Sequence, residues 1–350
     1  MEHMRVLMVV RYLGSGGAER VTSLLANYFA RNGVEVHLCC IDPLPDDYSV
    51  DDRIIRWRCA YSKNRFLRIA KQIVSLNKLV LEIRPNYIIA LGAVCRRLRY
   101  LFAKPIEEII LSERNYPDAY PPRLKRSLEN AYRRADKVVF QTEEAMRCYS
   151  RLVQAKSTVI LNPVLSGLTC YTAARKRRVV TFARLEPQKR LDLLVEAFAS
   201  FHETHPNWSL QIIGRGSQGD KLEKLISSLG IDSSAEVIPF SQNVHEMVRD
   251  AGMFVSSSEY EGLQNSLMES MSMGIPCIAT DCLGGGARLL TDSGRRGLLV
   301  PRGNAPALAR AMAQIADNPE LARTLSERGR EIVSICDEDK IAEQWLALIQ

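Results

Sequence analysis

Short apolar segments alternate with segments of helical period from one end of the chain to the other, and this alternation constrains the fold more than any other feature. Short apolar runs bounded by turn residues are typical of strands buried on both faces of a parallel sheet. Parallel strands need long crossover connections, which are usually helices. The pattern therefore predicts an α/β protein made of doubly wound, Rossmann-like parallel sheets.

The alternation occurs twice, on either side of a polar and basic stretch. Apolar content falls after Asn162–Pro163, as is typical of an interdomain linker. We predict an N-terminal domain over residues 1–163, a linker over 164–178 and a C-terminal domain over 179–336. The helical tail breaks near Cys336–Glu338, and we expect the last helix, about 337–350, to pack back onto the N-terminal domain.

The net charge of +7 is unevenly divided along the chain. Residues 1–170 hold 27 lysines and arginines against 17 acidic residues, a charge of +10, and the remainder carries −3. Such asymmetry favours an anionic partner for the first half, such as a nucleic acid, a membrane surface or a phosphorylated substrate. Alternatively, a surface that is merely rich in arginine accounts for the same charge without an anionic partner. No recognised nucleic-acid-binding motif is present, so we expect no nucleic acid partner.

The chain has no feature that predicts a membrane span or a metal site. Its apolar runs fall short of the roughly 18–20 residues that cross a bilayer, and the N-terminus leads into a strand without a cleavable signal. The nine cysteines form no C-x-x-C and no Cys/His zinc spacing, so they are interpreted as reduced core residues. We therefore expect a cytoplasmic protein without a metal.

The segment 258–269 follows a predicted buried strand and runs into a helix, which is where open α/β sheets bind ligands. Gly262 allows close approach of the backbone to a ligand, and Asn265 or Ser266 can cap the helix. The first N–H groups of a helix and its positive dipole end suit an anionic diphosphate. The residues predicted to line this anion site are Gly262, Leu263, Gln264, Asn265 and Ser266.

Two carboxylates flank the predicted anion site. Glu261 can accept hydrogen bonds from sugar hydroxyls, and Glu269 can accept them from a ribose diol. A purely structural interpretation of Glu269 is equally open, because Ser266 and Glu269 have the S-x-x-E spacing of a capping box.

Glu261 and Glu269, followed by residues 272–281, resemble the E-x7-E signature of retaining glycosyltransferase family 4 and the strand that trails it. Residues 11–20 resemble the family's N-terminal Gly-Gly loop, residues 159–164 its hinge, and Arg184 with Lys189 its R-x4-K motif. The resemblance covers essentially the whole chain. It is closest to bacterial enzymes that extend polyprenyl-diphosphate-linked glycans, such as the N-acetylgalactosamine transferases of N-glycosylation.

The resemblance implies a GT-B architecture, in which two facing domains hold the donor sugar in an interdomain cleft. It implies that Arg184, Lys189 and Glu261 are catalytic, because an Arg fork and a Lys ammonium can stabilise the charge on a leaving nucleoside diphosphate. The alternative interpretation of Arg184 and Lys189 is that both are solvated cations in a surface loop. The implied N-terminal phosphate contacts are Gly16 and Gly17, although a plain tight turn accounts for them equally. No metal is required by this arrangement.

The segment 214–219 has the G-x-G-x-x-G spacing of a dinucleotide-binding turn. That fingerprint needs an acidic residue at the end of the following strand, and Val237–Ser241 ends without one. We therefore interpret Gly214 and Gly216 by the resemblance, which places this turn beside the donor diphosphate or base.

The chain departs from the family where many members carry a histidine near the reacting carbon, because Arg114 occupies that position. Glu113, Arg114 and Asn115 are the candidates for the missing contact with the acceptor or sugar.

The predicted helix near residues 63–78 carries cations between apolar residues. Such helices bind anionic lipid surfaces or acidic head groups, although a core helix with a solvated outer face shows the same pattern. The candidate membrane or acceptor residues are Lys63, Arg65, Arg68, Lys71 and Lys78.

The sequence thus predicts transfer of a hexose or N-acetylhexosamine from a UDP-sugar to a lipid-linked glycan, by a protein peripheral on the inner face of the cytoplasmic membrane. One alternative is a sugar-nucleotide epimerase of the same fold. A second is a non-catalytic nucleic-acid-binding protein, which only the charge of the chain would support.

Overall fold

The computed structural model describes residues 4–14, 16–44, 48–105 and 107–350, and the side chain of Arg65 lies outside this description. The chain divides into two compact units. Unit 1 comprises Met1–Pro163 and Glu338–Gln350, and unit 2 comprises Val164–Asp337.

Unit 1 contains a parallel sheet whose described strands lie in the order β3-β2-β1-β4-β5-β6-β7. The strands are β1 (Arg5–Val10), β2 (Glu35–Cys40), β3 (Ile55–Arg58), β4 (Tyr87–Leu91), β5 (Glu108–Ser112), β6 (Lys137–Phe140) and β7 (Ser157–Val159). The helices between them are α1 (Gly17–Arg31), α2 (Arg65–Ile83), α3 (Cys95–Leu98), α4 (Pro122–Tyr132), α5 (Glu143–Arg147) and α6 (Arg151–Gln154), with 3₁₀ turns at Gly92–Val94 and Pro117–Ala119.

Unit 2 contains a second parallel sheet, in the order β10-β9-β8-β11-β12-β13. Its strands are β8 (Lys176–Arg184), β9 (Ser209–Arg215), β10 (Ala235–Pro239), β11 (Ala251–Ser256), β12 (Cys277–Thr280) and β13 (Leu298–Val300). Its helices are α7 (Leu191–Thr204), α8 (Gly219–Ser228), α9 (Val244–Val248), α10 (Asn265–Ser272), α11 (Gly286–Thr291), α12 (Ala305–Asp317), α13 (Pro319–Gly329) and α14 (Ile332–Ile335), with a 3₁₀ turn at Pro187–Lys189. The predicted fold class, two Rossmann-like parallel-sheet domains, is confirmed.

Each central strand is buried on both faces, which explains the continuous apolar runs in the sequence. In β1, Val6 and Met8 belong to one core cluster, whereas Leu7 and Val9 belong to the cluster on the opposite face. Successive side chains of a strand point to opposite faces, so both helix layers draw on the same strand. By contrast, β3 escaped prediction because it is an edge strand with exposed arginines and no apolar run.

The stretch 164–178, expected to be a linker, differs from that expectation. It groups with unit 2, and β8 begins within it at Lys176. Arg175 donates to five carbonyl oxygens, those of Tyr171, Arg249, Ala251, Met273 and Gly274. Arg175 therefore has a structural role, because its guanidinium satisfies these backbone acceptors. The residues around it in the sequence are polar and basic, as in a solvated linker.

The chain returns to unit 1 through α15 (Glu338–Leu346), after α14 ends at Ile335. Trp345 of α15 is fully buried and shares a core cluster with Leu25 and Phe29 of α1. No helix in the described ranges is both long and apolar enough to span a membrane.

Truncation of Trp345 to alanine is expected to destabilise unit 1 by about 3–5 kcal/mol, because it removes a buried aromatic ring and leaves a cavity. Hydrogen–deuterium exchange resolved by peptide is the measurement, and protection should fall in β1, α1 and α15 but not in unit 2. Gln344→Ala, at the exposed neighbouring position, is the matched control. Equal loss of protection in both units would contradict the placement of the tail.

Candidate active site

In unit 2 the strand order reverses between β8 and β11, which are parallel neighbours in the sheet. Ligands of open α/β sheets bind at such a switch point, outside the carboxyl ends of the two strands. Arg184 is the last residue of β8, Lys189 ends the following 3₁₀ turn, and Glu261 lies in the loop after β11. The topology therefore brings the three predicted catalytic residues to one edge of one sheet.

Hydrogen bonds tie the turn after β8 to the loop after β11. Ser257 donates to the Lys189 carbonyl at 2.8 Å, and the Glu259 N–H donates to the Gln188 carbonyl at 2.9 Å. The Gln188 amide donates to the Tyr260 carbonyl at 2.8 Å. Since the two loops are bonded through their backbones, the positions of Lys189 and Glu261 are set together.

Lys189 and Glu261 form an ion pair with a Nζ to Oε1 distance of 2.6 Å. Their side chains are only 16% and 11% exposed, so solvent screens the pair less than a surface salt bridge. Ser258 donates to the same Oε1 at 3.0 Å. The other carboxylate oxygen, Oε2, accepts no hydrogen bond from the described residues and is open to a ligand hydroxyl.

Arg184 is exposed at the end of β8. Within the described ranges, its guanidinium has no hydrogen-bond or ion-pair partner. Because no carboxylate of the described residues pairs with it, Arg184 adds an unpaired positive charge to the edge that also holds the Lys189–Glu261 pair.

Helix α10 carries no side-chain cap, which removes the capping-box interpretation of Glu269. The N-cap is Gln264, so neither Asn265 nor Ser266 occupies the capping position, and both fall within the helix. Gly262 and Leu263 are buried in the loop that precedes the cap. Glu269 instead pairs with His245, with its Oε2 2.8 Å from the histidine Nε2.

His245 is the residue of this edge that the sequence did not reveal. It lies on α9, 24 residues before Glu269, and its ring packs edge-on against Phe182 at 5.9 Å. No sequence motif relates His245 to Glu269, because α9 follows β10 and α10 follows β11.

Gly214 and Gly216 serve close backbone packing. A β-carbon at Gly214 would lie 2.0 Å from the Ala183 carbonyl oxygen, and one at Gly216 would lie 2.4 Å from that of Leu185. Ser217 donates from its hydroxyl to Glu186 at 2.8 Å, and the Gln218 N–H donates to the Leu185 carbonyl at 2.9 Å. With these donors occupied internally, the turn does not offer the phosphate cradle of a dinucleotide fingerprint.

In unit 1, Gly16 precedes α1 as its N-cap, and Gly17 is the first residue of that helix. The side chain of Glu19 folds back over this turn, since a β-carbon at Gly16 would lie 2.0 Å from the Glu19 Oε2. A phosphate at Gly16 and Gly17, as predicted, requires Glu19 to turn away, which its flexible side chain permits.

Glu113 is only 1% exposed and accepts hydrogen bonds through both carboxylate oxygens. The donors are the N–H groups of Arg114 and Asn115 and the hydroxyls of Tyr120, Tyr132 and Tyr149, at 2.7–3.2 Å. Burial raises the pKa of Glu113, and these hydrogen bonds oppose that rise. Because the carboxylate is enclosed, Arg114 and Asn115 are the two sequence candidates left for a substrate contact.

Arg114 donates from Nη1 to Asn162 Oδ1 at 2.8 Å and lies 5.4 Å from the ring centre of Trp345. Its Nε and Nη2 are buried and make no hydrogen bond to the described residues. Burial lowers the pKa of Arg114 to about 10, so the side chain stays cationic at neutral pH.

Helix α2 begins after Asn64, whose side chain accepts from the N–H groups of Phe66 and Leu67. Lys63, Lys71 and Lys78 are exposed, whereas Arg68 is half-buried against Tyr61. No group of three or more His, Cys, Asp or Glu side chains with the geometry of a metal site occurs in the part of the chain that the structure describes.

Two family models match the chain in succession. Residues 15–164 match the model described as glycosyltransferase family 4, and residues 172–332 match the model described as glycosyl transferases group 1. The chain is a glycosyltransferase. The enzyme is 25% identical over 344 residues to a Haemophilus influenzae protein described as an uncharacterized glycosyltransferase, with 96% of each chain covered.

A second relative is AmsD, the amylovoran biosynthesis glycosyltransferase of Erwinia amylovora. The enzyme is 25% identical to it over 293 residues, which cover 80% of this chain and 81% of AmsD. Among solved structures, a mutant of TarM from S. aureus in complex with fondaparinux, α-GlcNAc-glycerol and UDP has a TM-score of 0.84. The two share 15% sequence identity and cover 99% of this chain and 100% of TarM, which shows a common GT-B fold.

Replacement of Glu113 by glutamine is expected to destabilise the enzyme by about 2–4 kcal/mol, because the amide NH₂ would face hydroxyl and N–H donors. Chemical denaturation of the variant against wild type is the measurement. Glu143→Gln, at an exposed position in the same unit, is expected to change stability by less than about 0.5 kcal/mol. If Glu113→Gln were as stable as wild type but inactive, Glu113 would instead be assigned to the substrate site.

Proposed function

We propose that the enzyme is a retaining family 4 glycosyltransferase that moves a hexose or N-acetylhexosamine from a UDP-sugar to a lipid-linked glycan acceptor. The observation that carries this proposal is the cationic edge at the switch point of unit 2. There Arg184 has no partner in the part of the chain that the structure describes, Lys189 is held by Glu261, and Glu261 Oε2 accepts no hydrogen bond from those residues.

The chemistry of the leaving group fits this edge. Departure of a nucleoside diphosphate from the anomeric carbon concentrates negative charge on a phosphate oxygen. Arg184 and Lys189 supply two cationic donors for that charge, and the N-terminus of α10 supplies a positive dipole end. These groups make the diphosphate a good leaving group without a metal, and we propose none.

Retention of anomeric configuration is proposed through attack from the face that the diphosphate leaves. In this mechanism the leaving phosphate oxygen takes the proton of the acceptor hydroxyl. Glu261 Oε2 accepts a hydrogen bond from a sugar hydroxyl in this mechanism, while Oε1 is held by Lys189.

The nucleotide assignment is supported by Glu269 and by the bound UDP in TarM. Glu269 is a buried carboxylate on α10, the helix that follows the switch-point strand β11, and the donor's nucleotide would lie at this edge. A ribose diol donates two hydrogen bonds, which a carboxylate accepts.

The acceptor proposal rests on the outer face of α2. Leu67, Lys71, Val74, Lys78 and Leu81 recur every three or four residues, so they share one helix face, and all five are exposed. Phe102 is 88% exposed and is tied beside this helix by the hydrogen bond of its N–H to Asn77. We call these six residues the α2 surface.

A solvated outer face of a core helix would be polar, whereas the α2 surface alternates apolar and cationic side chains. That combination suits an anionic lipid surface, where apolar residues enter the interface and lysines meet head groups. We therefore propose that the enzyme works as a peripheral protein on the inner face of the cytoplasmic membrane.

Arg184→Ala and Lys189→Ala are each expected to lower turnover by about 10²-fold or more, since each removes a charge-stabilising donor. The donor is first identified by the nucleotide sugar that raises the melting temperature. Release of UDP from that sugar then measures turnover. Lys224→Ala, an exposed lysine on α8, is the matched control.

The two variants should differ in stability. Arg184→Ala should leave the melting temperature unchanged, whereas Lys189→Ala should lower it because Glu261 loses its partner in a largely buried setting. Near-wild-type turnover in either variant would remove that residue from the mechanism. Conversion of the donor's sugar into its epimer in the absence of an acceptor would favour an epimerase instead.

Charge reversal at Lys71 and Lys78 is expected to release the enzyme from anionic vesicles, because each lysine near the surface contributes about 1 kcal/mol. Co-sedimentation with phosphatidylserine-containing vesicles at low and high salt is the measurement, and affinity for UDP should not change. Reversal of Lys221 and Lys224 on α8 is the matched control. Equal sedimentation of the α2 variant and wild type would leave α2 as an ordinary solvated helix.

A further inference from the structure

Unit 1 has a switch point of its own, between the parallel neighbours β1 and β4, where its strand order reverses. Ligands of open α/β sheets bind outside the carboxyl ends of such strands. Arg11 directly follows β1, and Arg97 lies on α3, the helix that follows β4 and its 3₁₀ turn. The topology therefore brings two arginines to this edge of the sheet.

A buried glutamine holds Arg97 in place. Gln72 of α2 is only 1% exposed, and its Oε1 accepts from Arg97 Nε at 3.0 Å. Its Nε2 donates to the Ile41 carbonyl and to Asp42 Oδ1, both at 3.0 Å. The opposite orientation of the amide would set its NH₂ against the Arg97 N–H group and its oxygen against two acceptors. Gln72 therefore has one orientation, and it fixes the direction of the Arg97 guanidinium.

Arg97 is held through Nε, which leaves its two Nη groups available to a ligand. No hydrogen bond or ion pair joins either Nη group to a residue of the described ranges. Asp42 is already paired with Arg11, with its Oδ2 2.9 Å from the arginine Nε. The end of a guanidinium that carries both Nη groups can donate to two phosphate oxygens at once. Arg97 therefore presents a preformed anion contact at the edge of unit 1.

Arg68 adds a second cation to this contact. It lies on α2 four residues before Gln72, so the two residues share one helix face. Its guanidinium packs 5.7 Å from the ring centre of Tyr61, and it pairs with no carboxylate in the part of the chain that the structure describes. Burial and the positive charges of Arg96 and Arg68 lower the pKa of Arg97 to about 10, so Arg97 stays cationic at neutral pH. An anion bound here would relieve the repulsion between these cations.

Exposed apolar side chains border the two arginines. Phe66 and Leu67 directly precede Arg68 and are 82% and 57% exposed, and Leu67 belongs to the α2 surface. A ligand that fits both features has a compact, highly charged anionic head and an apolar chain. An isoprenoid diphosphate has this form, because its phosphate oxygens suit the guanidinium groups and its chain suits the apolar face.

We propose that Arg97, held by Gln72, and Arg68 form a subsite in unit 1 for the diphosphate group of an isoprenoid-linked acceptor. The inference rests on the proposed function, in which the acceptor glycan is lipid-linked, and it names the group of that acceptor that the enzyme holds. It adds two residues, Gln72 and Arg97, that belong to no motif of the sequence.

The test titrates farnesyl diphosphate into the full chain by calorimetry, with saturating UDP present so that the donor site is occupied. Arg97→Gln is expected to weaken binding about tenfold or more, because it removes a charged bidentate donor, and Arg68→Gln about threefold. Arg97→Lys keeps the charge without the planar fork and should lie between wild type and Arg97→Gln. Arg151→Gln, at an exposed position on α6 of the same unit, is the matched control and should change binding less than about twofold.

Two further probes identify the source of the phosphate. Inorganic pyrophosphate should bind more weakly than farnesyl diphosphate, because it lacks the apolar chain, and should lose the same factor in Arg97→Gln. Equal affinity of wild type for the two would assign the subsite to free phosphates and overturn the lipid source. A loss in Arg97→Gln that is confined to phosphatidylserine-containing vesicles would assign Arg97 to bulk lipid head groups and overturn the proposal.

The outcomes separate this subsite from the proposed function. Unchanged affinity for farnesyl diphosphate in both Arg97→Gln and Arg68→Gln would overturn the subsite while UDP binding by wild type stands. Failure of wild type to bind farnesyl diphosphate would overturn it as well. Binding of farnesyl diphosphate that depends on Arg97, by an enzyme that binds no UDP, would instead refute the proposed donor and leave the subsite in place.

Discussion

Parallel strands place all of their carboxyl ends at one edge of a sheet, and every residue of the candidate site depends on this constraint. In unit 2 the edge collects the turn after β8, the loop after β11 and, through α9, the segment after β10. Hydrogen bonds then join the segments, as between Ser257 and the Lys189 carbonyl. Without those bonds, residues from three separate loops would not be held in one arrangement.

The charges at that edge are only partly neutralised. Glu261 holds Lys189 through one oxygen, which positions the ammonium group and leaves the second oxygen open. Arg184 has no partner among the described residues, so its guanidinium is available to an anionic leaving group. An edge on which both cations were paired would have to break an ion pair before it could stabilise a diphosphate.

Unit 1 shows how adjacent residues can have different roles. Glu113 turns inward to a set of tyrosine hydroxyls, whereas Arg114 reaches Asn162 and the ring of Trp345. The arginine thereby connects the end of β5 with residue 162 and with the C-terminal helix, three places that are far apart in the sequence. Spacing alone could not separate the roles of these two neighbours.

The sequence by itself determined the two parallel sheets, the order of most strands and helices, and the E-x7-E and R-x4-K residues of the edge. These features are local, because strand and helix periods and motif spacings depend on neighbouring residues. Only the tertiary structure decided that Lys189 pairs with Glu261 across 72 residues, that His245 rather than a cap holds Glu269, and that Glu113 is enclosed. Such pairings depend on which loops the sheet topology brings together. The spacing of residues along the sequence does not show which loops will meet.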